Sequence, residues 1–130
     1  MSAEANIASV LAYLRAIETN GAVEAFFAPD IIQTEFPNRL TRKETHRDLA
    51  ALITSSAQGR KIVAKQTFDV KNIFAAGNTV VAETLWTGTF TIPIESLQPG
   101  QEMRAHFCMI LEFRDGKIVK QRNYDCFEPF

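Results

Sequence analysis

Four strand-forming segments follow one another in the second half of the chain, and they constrain the fold more than any other feature of the sequence. Each is rich in β-branched and aromatic residues, which favour extended backbone. Turn-forming residues separate them, most clearly Gly77-Asn78 and Asp115-Gly116. Strands joined by such short turns pair antiparallel. The sequence therefore predicts an antiparallel sheet built from residues 62–74, 79–92, 102–113 and 117–127.

The residues that precede this sheet show a helical pattern instead. Between Ile7 and Ile17 apolar residues recur at steps of three and four, which is one face of an amphipathic helix, and Ser2 can cap its first turn. A short second helix is predicted over residues 22–27, and a strand follows over residues 30–36.

A third helix is predicted over residues 41–57. Thr41 and Glu44 have the spacing of a capping box, and Gln58-Gly59 is a stop signal. Helices followed by hairpin-linked strands are typical of the α+β class. We therefore expect a curved antiparallel sheet packed on one face against three N-terminal helices.

Length and composition restrict the class of function. A chain of 130 residues with 46% hydrophobic and 22% charged residues is typical of one globular domain, which we expect to span residues 1–130. Its net charge of −1 provides no basic excess for binding nucleic acid. No apolar run approaches the roughly 20 residues that cross a bilayer. The first residues lack the pattern of a signal peptide, so we expect a cytoplasmic protein without a membrane partner.

The residues that could bind a metal are few and scattered. Cys108 and Cys126 lack the spacing of a zinc site, and His46 and His106 are far apart in the sequence. We therefore expect neither a metal nor another cofactor. Both cysteines are expected to behave as small apolar side chains.

Alternation along the strands assigns their faces. In residues 102–113 the set that contains Phe107 and Met109 is apolar throughout and should face the helices. In residues 79–92 the more apolar set contains Trp86.

The last strand leaves two alternatives open. One set of alternating residues contains Asn123, Asp125 and Phe127, and the other contains Tyr124 and Cys126. If the first set faces inward, its polar groups need partners, water or a ligand, because unpaired buried polar groups cost a few kcal/mol each. If the second set faces inward, Asp125 is a surface acid.

Three stretches of the sequence resemble a known superfamily. VLAYLRAIETNG, AFFAPDIIQTEFPN and ILEFRDGKIVKQRNYDCF are similar to NTF2-like proteins, and within them to the SnoaL-like polyketide cyclase and ketosteroid isomerase branch. The resemblance implies a cone-shaped fold, in which a strongly bent sheet wraps round the helices and encloses one deep apolar pocket. It also implies a homodimer formed through the outer face of the sheet.

The resemblance supplies some functional residues of the family and not others. Tyr13 lies where ketosteroid isomerases have an oxyanion-hole tyrosine. The position of their catalytic base holds Phe36, and that of their hydrogen-bonding Asp holds Met109, so steroid isomerisation is not expected. Glu35 precedes Phe36 and is expected to point to the opposite face. Cyclases and epoxide hydrolases of the superfamily use an acid on the last strand, which makes Asp125 the candidate acid/base.

The leading hypothesis is a small-molecule enzyme that acts on an apolar, carbonyl-bearing compound. Asp125 would transfer a proton, while Tyr13 and Asn123 orient the substrate. The alternatives for Asp125 are a structural acid bonded to neighbouring groups and a surface charge. The alternative functions are a non-catalytic binding module with the same pocket and a dimeric interaction scaffold.

Further side chains are expected to line the pocket and contact the substrate. His46 is included because its spacing from Leu49 and Ile53 places it at the inner edge of the predicted third helix. The others are aromatic or apolar: Trp86, Met109, Phe107, Phe36 and Phe127.

Overall fold

The computed structural model describes residues 2–130 and contains two α-helices, one 3₁₀ turn and six strands in that range. Met1, with which the predicted domain begins, lies outside the described residues. The elements are α1 (Ala3–Glu18), a 3₁₀ turn (Glu24–Phe26), β1 (Phe27–Glu35), β2 (Thr45–Arg47), α2 (Leu49–Ile62), β3 (Val63–Ala76), β4 (Thr79–Phe90), β5 (Glu102–Arg114) and β6 (Lys117–Phe127). The predicted α+β class is confirmed, but the short second helix is a 3₁₀ turn.

The six strands form one sheet in the order β2-β1-β6-β5-β4-β3. The strands β3 to β6 pair in succession as antiparallel neighbours, as the turn residues predict. β1 instead pairs in parallel with β6, and β2 extends the sheet antiparallel to β1. The parallel pair joins segments that are distant in the sequence, so no turn signal marks it.

The first helix forms as predicted. The hydroxyl oxygen of Ser2 accepts a hydrogen bond from the backbone N–H of Ala5 at 3.0 Å, which satisfies one free donor of the first turn. The helix buries Val10, Tyr13 and Leu14 against the sheet. None of the helices in residues 2–130 is long and apolar enough to cross a membrane.

The predicted start of the third helix at Thr41 is wrong. α2 begins at Leu49, after Asp48, whose carboxylate accepts from the backbone N–H of Ala51 at 2.9 Å. Upstream, the side chain of Asn38 accepts from the backbone N–H of Thr41 at 2.9 Å and stabilises a turn rather than a helix. The short strand β2 lies between these two caps.

A β-bulge determines which face of β6 is buried. The pairing between β5 and β6 shifts by one residue near Phe113, so that Ile118 and Gln121 are both buried although they are three residues apart. Beyond the bulge, Met109 lies opposite Asn123 and Phe107 lies opposite Asp125. Residues paired in this way point to the same face, and therefore the set that contains Asp125 faces the helices.

Candidate functional site

A cavity of about 340 Å³ lies between the two helices and the inner face of the sheet. Its volume is within the range that is typical of small-molecule sites. Its walls combine apolar side chains with amides, hydroxyls and charges. They are formed by Tyr13, Ile17, Asn20, Gly21, Val23, Phe27, Gln33, Glu35, Arg47, Leu52, Ser55, Ser56, Gly59, Arg60, Val63 and Gln66.

Small residues on α2 leave room for this cavity. Gly59 follows Ser56 by three residues and Ser55 by four, so the three residues share the face of α2 that borders it. A Cβ atom placed on Gly59 would meet no atom within 4 Å. A larger side chain on this face of the helix would therefore enter the cavity.

An ion pair lines the wall formed by β1 and β2. Arg47 Nη1 lies 2.9 Å from Glu35 Oε1, and the two side chains are 21% and 17% exposed. The expectation that Glu35 points away from the pocket is wrong. β1 pairs with β6 so that Glu35 lies beside Asn123, on the inner face, and Phe36 lies outside, where its ring stacks on Tyr124 at 4.7 Å.

Tyr13 contributes a buried hydroxyl to the cavity. Its side chain packs against Phe26 and Phe27, and its hydroxyl donates a long hydrogen bond of 3.4 Å to Gln121 Oε1. Burial raises the pKa of this hydroxyl above its usual value, more strongly than the bond to Gln121 lowers it. Tyr13 is therefore a neutral hydrogen-bond donor at physiological pH.

A second hydrogen bond extends this chain from Gln121 along β6 towards Asp125. Gln121 Nε2 donates to Asn123 Oδ1 at 3.0 Å. Because its amide oxygen is engaged in this way, Asn123 retains its N–H₂ group to donate to another acceptor. Asp125 is the next inward-facing residue along the strand.

Asp125 is a partly buried acid with an unsatisfied oxygen. Its Oδ1 atom is fully buried and has no hydrogen-bond partner in the protein. Desolvation raises the pKa of Asp125, and the negative charge of Glu35 raises it further, to about 7. Near neutral pH the carboxyl group can therefore both release and accept a proton.

An aromatic cluster lies on the same face of the sheet. The ring of Trp86 stacks on Phe107 with centroids 5.2 Å apart and meets Phe127 edge to face at 6.2 Å. Trp86 Nε1 donates to Gln66 Oε1 at 3.0 Å, which links the cluster to a residue of the cavity wall. A Cβ atom on Gly88 would lie 2.5 Å from the indole ring, so the ring can adopt this position only over a glycine.

The structure separates the residues predicted to form the site into three groups. Tyr13 lines the cavity. A second group shares the inner face of the sheet without lining the cavity: Asp125, Asn123, Trp86, Met109, Phe107 and Phe127. Phe36 and His46 lie outside. Their functional roles remain predictions.

His46 is far more exposed than a position at the inner edge of a helix would allow. It lies on β2, and its side chain is 56% exposed. Its ring nitrogens lie 3.1 Å from Thr34 Oγ1 and 2.8 Å from Glu44 Oε2. The neighbouring Arg47 points inward instead, as alternation along a strand requires.

Sequence reasoning missed the polar wall of the cavity. Gln33 and Glu35 have the same parity in β1 as Ile31, which is fully buried, and this alternation could have revealed them. Arg47 could not have been found in the same way, because the segment around it was predicted to be helical. Gln66 carries no comparable signal.

Known proteins share this architecture. A family model described as a SnoaL-like domain matches residues 10–121. AclR from Streptomyces galilaeus, a candidate hydroxylase, is similar in structure with a TM-score of 0.80 and 23% identity over 98% of this chain and 83% of that chain. None of the curated proteins compared with the chain matches it in sequence.

Two further solved structures share the fold. IdmH from Streptomyces antibioticus, a candidate polyketide cyclase, has a TM-score of 0.75 and 18% identity over 92% of this chain and 91% of that chain. An NTF2-like protein of unknown function from Burkholderia pseudomallei has a TM-score of 0.74 and 18% identity over 98% of this chain and 92% of that chain. At these identities the similarity establishes the fold alone, which is the NTF2-like fold that the sequence predicts.

Proposed function

The chain belongs to the SnoaL-like domain family, and on that premise we propose that it binds a small hydrophobic carbonyl compound and catalyses proton transfer at the carbon beside the carbonyl. The observation that carries the proposal is Asp125, an acid that shares the inner face of the sheet with the cavity wall and has one fully buried, unsatisfied oxygen. A substrate group can supply the partner that the protein does not.

The acid and the hydrogen-bond donor have complementary tasks in this reaction. Asp125 in its ionised form removes a proton from the α-carbon, the electrons of the broken C–H bond form the carbon–carbon double bond of an enolate, and the carbonyl π electrons move to oxygen. The side-chain amide of Asn123, two residues from Asp125 on the same face of β6, donates a hydrogen bond to the carbonyl oxygen as negative charge develops there. Asp125 then returns its proton to carbon, at the same position or at a conjugated one, and an isomerase, cyclase or lyase can use this step.

The spacing of these groups favours a compound with more than one ring. Tyr13 contacts Gln121, and Asp125 lies four residues further along β6, which corresponds to roughly 13 Å in an extended strand. The amide of Asn123 lies between them, beside the acid, and the hydroxyl of Tyr13 can bind a polar substituent at the far end of the compound. A fused bicyclic or tricyclic ketone has the length to reach from one to the other.

The proposal is tested by deuterium exchange into simple ketones. Bicyclic ketones such as 1-indanone and 1-tetralone are incubated with the protein in D₂O, and loss of the α-hydrogen signal is followed by NMR. We expect exchange above the buffer rate, and we expect Asp125→Asn to lower this acceleration by about 10²-fold or more, the usual contribution of general acid–base catalysis. Binding of the ketones, measured by calorimetry, should persist in the variant.

A matched variant and the other two hypotheses define the remaining outcomes. Asp115→Asn removes an exposed acid in the turn between β5 and β6 and should leave the exchange rate unchanged. Ketone binding without accelerated exchange would favour the non-catalytic binding module. A protein that binds none of the ketones would contradict the proposal and favour the interaction scaffold.

We also propose that the outer face of the sheet forms a homodimer. Ile32, Phe74 and Tyr124 are 43%, 48% and 41% exposed, and the ring of Phe36 extends this apolar surface. Tyr124→Lys should shift the chain to a monomer in sedimentation equilibrium, because a charge would be buried at the interface. Leu11→Lys, on an exposed position of α1, is the control, and equal behaviour of the two variants would refute this interface.

A further inference from the structure

Arg60 is the charged group of the cavity wall that lacks an acidic partner within residues 2–130. It lies in the last turn of α2, and its Nη1 donates to Ser56 Oγ at 3.0 Å. None of the ion pairs in the described part of the chain includes it. A guanidinium group has five N–H donors, so most of those on Arg60 are available to a ligand.

The other charges of the cavity wall cancel each other. Arg47 is paired with Glu35, and Arg60 therefore gives the wall an excess of one positive charge. A cleft with one excess charge and low-dielectric walls attracts ligands of the opposite sign.

Arg60 also lies where the cavity meets a second hollow. That hollow has a volume of about 240 Å³ and shares Asn20, Val23, Ser56 and Arg60 with the main cavity. Glu24 lines the second hollow too, but it forms no ion pair with Arg60. Arg60 therefore lies at the boundary of the two hollows.

Part of the cavity wall is apolar. Ile17, Val23, Leu52 and Val63 line it, and they offer hydrophobic contacts without hydrogen-bond donors on their side chains. A compound that fills this space and also meets Arg60 has an apolar body and an anionic end.

We infer that the ligand of this cavity is an organic acid, whose carboxylate or equivalent anionic group binds Arg60 at the boundary of the two hollows while its apolar body fills the interior. This inference rests on the proposed binding function and specifies the class of compound. The simpler alternative is that Arg60 only stabilises α2, through the negative end of the helix dipole and its bond to Ser56.

A pair of probes with nearly the same shape and different charge distinguishes an anion-binding role of Arg60 from a purely structural one. 2-Naphthoate and its neutral carboxamide, 2-naphthamide, have the same ring system and nearly the same shape. Their affinities for the native protein, for Arg60→Gln and for Lys61→Gln are measured by isothermal titration calorimetry. Lys61 is the matched control, because it is the next residue of α2, carries the same charge and does not line either hollow.

The inference predicts a specific pattern of affinities. The native protein should bind naphthoate more tightly than naphthamide, and Arg60→Gln should weaken naphthoate binding by about fivefold, the effect of one partly exposed charge pair. Naphthamide binding should not change, and Lys61→Gln should resemble the native protein. Arg60→Lys should recover part of the naphthoate affinity, and 1 M salt should reduce it.

Two results would overturn the inference. If naphthamide binds as tightly as naphthoate, or if the two charge-removing variants weaken naphthoate binding equally, Arg60 does not select an acid. The proposed binding function of the cavity is then unaffected. If neither probe binds the native protein, the binding cavity itself is refuted, and the inference falls with it.

Discussion

Replacing Asp125 with Asn should stabilise the protein by an amount that grows as the pH rises. In the folded protein the pKa of Asp125 is raised from 3.8 to about 7, mainly because burial disfavours the charged carboxylate. Between these two values the unfolded chain has released the proton and the folded chain still holds it. The free energy of unfolding of the native protein therefore falls as the pH rises through this window, at about 1.4 kcal/mol per pH unit.

The size of this stability change follows from the rise in the pKa of Asp125. The rise in the pKa of Asp125 from 3.8 to about 7 corresponds to a loss of about 4 kcal/mol in the free energy of unfolding when the group is fully ionised. Asp125 is only partly buried, and the solvent that reaches it reduces the cost, so we expect about 2–4 kcal/mol. The asparagine variant lacks this ionisation. Its stability relative to the native protein should rise from pH 4 to pH 7 and then remain constant.

Tryptophan fluorescence provides the assay. Trp86 is the single tryptophan of the chain and is 5% exposed, so its emission changes when the core unfolds. Urea unfolding of the native protein, Asp125→Asn and Asp115→Asn is followed at half-unit steps from pH 4 to pH 8.5. Asp115 is an exposed acid of the β5–β6 turn, and its replacement should give no comparable trend. A constant difference between Asp125→Asn and the native protein across this range would refute the reasoning.

The remaining predictions concern the neighbours of this acid and of the cavity. Gly88→Ala should destabilise the protein by about 1–3 kcal/mol and shift the fluorescence of Trp86, because the new methyl group would lie 2.5 Å from the indole ring. Gly59→Ala should stabilise it by up to about 1 kcal/mol, since the methyl group meets open space and alanine favours the helix; equal effects of the two substitutions would contradict this packing. Glu35→Gln should lower the pKa of Asp125, because it removes the negative charge that opposes ionisation. In the urea series, the pH at which stability levels off should then move down, and an unchanged value would show that the two acids do not interact.

The strands of the second half could be predicted from local signals. β4 and β5 carry their own alternation, and turns that contain Gly, Asn or Asp end β3 and β5, so neither feature depends on the rest of the fold. The inward faces of β4 and β5 followed for the same reason. The prediction at residues 41–57 failed because Thr41 and Glu44 imitate a capping box, whereas Asp48 makes the actual cap.

The polar wall of the site depends on non-local pairing. Glu35 faces the cavity because β1 pairs with β6, and Arg47 reaches it because β2 adds to the edge of β1. Both pairings join segments that no local pattern connects. The bulge near Phe113 similarly fixes the face of Asp125 through a single shift in register, which period-two reasoning on β6 alone cannot detect.

Two carboxyl groups on one face of this sheet have different surroundings. Arg47 lies 2.9 Å from Glu35 and pairs with it, whereas Asp125 lies opposite Phe107 and has one oxygen without a partner. The negative charge of Glu35 opposes ionisation of Asp125 and raises its pKa further. Because Glu35 also lines the cavity, a ligand that replaces water there strengthens this interaction by lowering the local dielectric. Occupancy of the cavity and the proton affinity of Asp125 are therefore coupled through Glu35, which lines the cavity and lies beside Asn123 on the face that carries Asp125.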